Sequence, residues 1–122
     1  MVKLTVLYNL HEGVDNEAFI KWRVKEGQAE NFAAPQVLKT DFYVAKETAL
    51  GAPKYRYITE AYYATMKDLE DSFFQPDVQA KLKEDMKNLG DAIILISDEM
   101  VSSERWDVCL LASFFSLLGL LW

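Results

Sequence analysis

The stretch KYRYITEAYYATMKDLEDSFF, residues 54–74, constrains this chain more than any other. Its first ten residues include Tyr55, Tyr57, Ile58, Thr59, Tyr62 and Tyr63, and β-branched and aromatic side chains of this kind suit a pleated, half-buried surface. Residues 54–63 therefore read as a central strand. Thr65 with Asp68 three places on resembles a capping box, which satisfies the free N–H groups of a first helical turn, so a helix starts directly after the strand. Side chains alternate across a strand, which puts Arg56, Ile58, Glu60 and Tyr62 on one face and Tyr55, Tyr57, Thr59, Ala61 and Tyr63 on the other. One face thus holds the charged groups.

The rest of the chain supplies partners for this unit. Residues 2–9 alternate as a strand, with Val2, Leu4, Val6 and Tyr8 on one side. Asp15 or Asn16 is placed to cap a helix running to about Asn31, on which Ala18, Trp22, Ala29 and Phe32 share a side with Phe19 flanking them. Pro35 blocks its continuation, and residues 37–46 alternate as a second strand with Asp41 and Tyr43 facing the same way. Pro76 fits the first turn of a further helix in which Val78, Leu82, Met86 and Leu89 recur at helical steps, and Gly90 supplies the stop. Residues 92–101, containing IILI, form the fourth strand.

The order is βαββαβ, the split βαβ or ferredoxin-like arrangement: an α+β domain with a four-stranded antiparallel sheet and helices on one face only. The opposite face needs cover, which a second subunit or the tail must provide. The expected division is a domain over residues 1–102 and an apolar tail over 103–122. After Asp107 the tail has fifteen residues without a charge, about 22 Å as a helix, which falls short of the roughly 30 Å of bilayer hydrocarbon. A packing or dimer-contact element fits it better than an integral membrane span.

Charge narrows the partners. A net charge of -6 and a pI near 4.7, with no run among the 13 Lys and Arg residues, argue against nucleic acid. The single cysteine, Cys109, lies among Val108, Leu110 and Leu111 and reads as structural. Lys3 and Thr5 interrupt the N-terminal apolar residues before a signal peptide develops, so a cytoplasmic location is expected.

With βαββαβ in place, the chain resembles the dimeric α+β barrel superfamily, and EthD-like proteins in particular, through Phe19, Trp22 and Pro35 and through Glu60, Tyr63, Thr65, Leu69 and Phe73. The segments APQVLKTDFYVAKE and YRYITEAYY also resemble the REDY-like proteins of prodigiosin-type biosynthetic clusters. The resemblance spans residues 2–101 and implies a homodimer whose sheet faces meet around a small-molecule pocket. It does not extend to the histidine of the family's first helix, since Glu26 stands there.

If the face of Arg56, Ile58, Glu60 and Tyr62 points into such a barrel, Glu60 is the leading general base, because desolvation raises a carboxylate's pKa. An ion pair of Glu60 with Arg56 or Arg23 is the structural alternative. Tyr62 could hold a developing oxyanion, and His11, the one histidine, could shuttle a proton. Asp41, Tyr43, Arg56, Ile58 and Trp22 complete the expected ligand contacts, with core packing the alternative for Trp22. One histidine and one cysteine do not make a zinc site, and the five isolated glycines make no phosphate loop, so neither metal nor cofactor is expected. Two functions stay open: a cofactor-free enzyme moving a proton on a polyketide-like or aromatic metabolite, in a cyclisation, isomerisation or oxygenation, and a non-catalytic metabolite-binding or structural barrel.

Overall fold

The computed structural model describes residues 1–105. Most of the apolar tail, with Cys109, lies outside the described residues. The first strand, β1 (Val2–Leu10), leads through a turn at Gly13, whose positive φ of 90° suits glycine, into helix α1 (Asn16–Trp22). Asp15 caps α1 by accepting from the N–H groups of Glu17 and Ala18. A π-helical turn (Arg23–Gly27) and α2 (Gln28–Asn31) continue it. Strands β2 (Lys39–Val44) and β3 (Tyr57–Tyr63) follow, then α3 (Met66–Phe73), α4 (Pro76–Asp85), a 3₁₀ turn (Met86–Asn88) and β4 (Leu89–Asp98). Thr65 caps α3 as its spacing to Asp68 indicates: its Oγ1 accepts from the Asp68 N–H at 3.1 Å.

The four strands stand in the order β2-β3-β1-β4 with every neighbouring pair antiparallel, which is the ferredoxin-like sheet. Val2, Leu4, Val37, Ala61, Tyr63 and Leu69 form the buried core between the sheet and α3, and Leu69 is fully buried there. No helix among the described residues is long and apolar enough to cross a membrane.

Several sequence expectations shift. The second and third strands are shorter than 37–46 and 54–63, and the fourth begins at Leu89. Gly90 is a strand residue, not a helix stop, and a Cβ on it would come within 3.1 Å of the Leu10 carbonyl oxygen, where the register of β1 against β4 shifts. The side expected to unite Ala18, Trp22, Ala29 and Phe32 is broken: Ala18 and Trp22 line the space between helix and sheet, whereas Ala29 and Phe32, beyond the start of the π turn, are exposed and do not. A π turn inserts an extra residue into the helical repeat and rotates everything after it, so an uninterrupted 3.6-residue period assigns the wrong face.

Candidate functional site

The sheet has two unlike faces. On the open one, away from the helices, cross-strand partners line up as Asp41, Glu60 and Thr5, as Lys39, Tyr62 and Lys3, and as Tyr43, Ile58 and Leu7. The Tyr62 hydroxyl donates to Glu60 Oε2 at 2.8 Å. Lys3 Nζ lies 3.6 Å from Glu60 Oε1, and Lys39 Nζ lies 3.5 Å from Asp41 Oδ2. The partner of Glu60 is thus Lys3 rather than Arg56 or Arg23, since strand register puts Lys3 diagonally beside it. Bonding to the Glu60 carboxylate, helped by burial and the neighbouring Asp41, pushes the Tyr62 phenol up to about 12. His11 is exposed in the turn after β1, where its N–H donates to the Asn88 carbonyl, and it is not part of this cluster.

The helix face differs. Between it and the helices lies a cavity of about 690 Å³, within the size range of small-molecule sites. The sheet contributes Val6, Tyr8 and Thr59, α1 contributes Ala18, Phe19 and Trp22, and α4 forms the outer wall through Val78 and Leu82. Helix α4 buries no residue fully, so it roofs the cavity without filling it. Lys81 of α4 pairs with Glu30 of α2 at 2.8 Å across the cavity rim.

The aromatic packing at this face centres on Tyr57, which is wholly buried. Its ring lies 5.1 Å from Phe19, 5.5 Å from Tyr8 and 5.9 Å from Phe42. Polar side chains line the cavity too, among them Asp15, Arg23, Glu30, Thr59 and Asp85. The Tyr8 hydroxyl bonds Thr59 Oγ1 at 3.1 Å, and burial pushes its pKa above the usual tyrosine range against the opposing pull of Thr59 and Arg23. The Arg23 guanidinium stacks over Phe42 at 4.8 Å. Asp85, on the α4 wall, has its pKa raised by partial burial and by Glu30 and Glu84, while Lys81 opposes the shift.

Of the residues singled out from the sequence, Trp22 lines this cavity; Glu60, Tyr62, Arg56, Ile58, Asp41, Tyr43 and His11 do not. Tyr8, Arg23, Thr59 and Asp85 line it and were not among the site residues expected from the sequence. Tyr8 had a signal, as the polar-tipped end of the row Val2, Leu4, Val6, and so did Arg23, four residues after Phe19 on the inward side of a helix. Among the described residues no three His, Cys, Asp or Glu side chains converge as a metal site.

No protein-family model matches the chain, nor does any curated protein sequence. Solved structures do. An ethyl tert-butyl ether D (EthD) family protein from Bacillus halodurans is 25% identical with a TM-score of 0.67, the match covering 82% of this chain and 99% of that one. The hydroxynitrile lyase of Passiflora edulis is 13% identical with a TM-score of 0.66, covering 84% and 96%. A dimeric ferredoxin-like protein of unknown function from Thermobifida fusca is 15% identical with a TM-score of 0.61, covering 80% and 90%. This chain thus shares its α+β fold with the dimeric ferredoxin-like proteins and resembles the EthD family.

Proposed function

We propose that this chain is one subunit of a homodimer joined through its open sheet faces, and that each subunit takes a small, largely apolar metabolite, aromatic or polyketide-like, into the cavity between its helices and its sheet. The observation that carries this reading is the cavity itself: about 690 Å³, walled by aliphatic and aromatic side chains with polar groups set among them. The dimer is supported by the apolar row of Tyr43, Ile58, Leu7 and Ile93 on the open face, and by the dimeric state named for the similar protein of Thermobifida fusca.

Within such a cavity the groups suit proton transfer without a cofactor. Asp85 is a carboxylate on the cavity wall whose pKa is raised by partial burial, and the neutral Tyr8 phenol can donate to a ligand oxygen. A hydroxynitrile lyase on the same fold supports an enzyme over a carrier. The test is native mass spectrometry of the protein purified from its own organism. A dimer retaining a small apolar molecule, displaced when Ala18→Trp fills the cavity, is the expected result; a bare monomer that takes up nothing overturns the proposal.

A second reading, favoured by the Tyr62–Glu60 hydrogen bond, puts chemistry between the two sheets, with Glu60 as base, Tyr62 holding the substrate oxygen, and His11 shuttling protons at the rim. It requires Glu60→Gln to abolish turnover while leaving the melting temperature nearly unchanged. Loss of stability with activity per folded molecule intact makes the Lys3–Glu60–Tyr62 cluster a structural one.

A further inference from the structure

Arg23 is 3% exposed, yet it pairs with no carboxylate among the described residues. A buried charge without a counter-charge is costly, and guanidinium does not escape the cost by giving up its proton. Nη1 donates to Gln28 Oε1 at 2.8 Å, and Gln28 Nε2 donates onward to the Thr40 carbonyl at 3.1 Å, so one side of the fork ties the π turn to β2. Nη2 is buried and has no hydrogen-bond partner among the described residues. The carboxylates lining the same cavity are otherwise engaged or unpaired with it: Asp15 caps α1, Glu30 holds Lys81, and Asp85 makes no ion pair with Arg23. The ionisable group within electrostatic and hydrogen-bonding reach is Tyr8, which burial keeps neutral, so it supplies no counter-charge.

The backbone is adapted to this placement. A Cβ at Gly27 would come 2.8 Å from Trp22 Cζ3 and 3.0 Å from Arg23 Cδ, so glycine lets both side chains fold back across the π turn. The result is a buried guanidinium, its Nη2 without a hydrogen-bond acceptor among the described residues, on a residue that lines an apolar, aromatic-rich cavity.

We propose that Arg23 is the receptor for an oxyanion on the cavity's ligand, which is therefore an aromatic or similarly apolar molecule bearing a single carboxylate, enolate or phenolate. This rests on the cavity being the ligand site. The anion supplies the missing counter-charge and the missing acceptor for Nη2 together, in a setting of low dielectric where a charge-assisted hydrogen bond is strong. Tyr8 and Thr59 on the facing strands are the additional hydroxyls at that wall.

Two fluorescent probes with the same arylamine body separate the alternatives: 1-anilinonaphthalene-8-sulfonate, an anion, and N-phenyl-1-naphthylamine, which lacks the sulfonate. Titrated into the full chain, the anion is expected to bind about 10- to 100-fold more tightly, the range given by one charge-assisted hydrogen bond. Arg23→Met is expected to erase that preference while leaving the neutral probe's affinity unchanged, and Arg23→Lys to retain part of it. Equal binding of both probes to the wild type, or a parallel loss of both in Arg23→Met, overturns the assignment while leaving the cavity as a site. Failure of both probes to bind the wild type overturns the cavity reading and this inference with it. Should Arg23→Met not fold, guanidinium NMR of the wild type decides. Of its three arginines, Arg23 must shift with the anionic probe and stay put with the neutral one.

Discussion

Gly27 shows how a single residue's sign of effect depends on its surroundings. In an exposed helix, Gly→Ala gains about 1 kcal/mol from backbone propensity. Here the added methyl would meet the tip of the exposed Trp22 ring at 2.8 Å, which can swing aside, and Cδ of the buried Arg23 at 3.0 Å, whose guanidinium is held by Gln28. Gly27→Ala is therefore expected to lower the melting temperature and to disturb Arg23, checked by thermal denaturation followed through Trp fluorescence. Tyr62 gives the pH prediction. Its pKa of about 12 in the folded chain exceeds the usual tyrosine value, so between those two values the unfolded chain has lost the proton and the folded one keeps it. The resulting stabilisation is present below pH about 10 and lost as pH rises toward 12. Tyr62→Phe is expected to remove one late-titrating phenol from the tyrosinate absorbance curve and to flatten the alkaline fall in stability. The alternation that set Glu60 and Tyr62 on one face was legible in the sequence because a strand's period is two whatever it packs against. The placement of Arg23 was not: Phe42 reaches it only through the fold, and its bond to Gln28, five residues on, spans the π turn.

At the scale of elements, strand and helix identities were legible from alternation and caps, and Thr65 with Asp68 marked a true helix start. The π turn was not, because Gly27 lowers helix propensity in RVKEG without distinguishing a π turn from a weak stretch of α-helix. Helix α4 illustrates a second gap. Its recurring Val78, Leu82 and Met86 announce an inward face, but not that this face meets a cavity in place of packed side chains. Lys81–Glu30 is the tie from α4 to α2, and an exposed pair of this type contributes about 0–1 kcal/mol. Lys81→Met is thus expected to change global stability little while speeding amide hydrogen exchange across Pro76–Asp85 relative to the central strands β1 and β3. Equal acceleration throughout the chain would mean that the pair supports the whole fold and not the roof alone.

For the whole molecule, the two sheet faces make separable claims. Ile58, between Tyr43 and Leu7, points to the open face, opposite the cavity. Ile58→Glu places a charge in the proposed dimer interface and is expected to give a monomer in analytical ultracentrifugation that still binds the neutral arylamine probe. Loss of probe binding together with the dimer would favour a ligand site between the sheets. The architecture also bears on how such a protein changes over evolutionary time. The framework that holds Tyr8, Thr59 and Arg23 is the sheet with its first helix, whereas α4 covers the cavity while burying none of its own residues. Substitutions at Val78, Leu82 and Asp85 therefore reshape the chamber at small cost to folding. If the cavity is the proposed ligand site, its roof can drift toward new ligands while the sheet wall stays as it is, by changes in a single ten-residue helix.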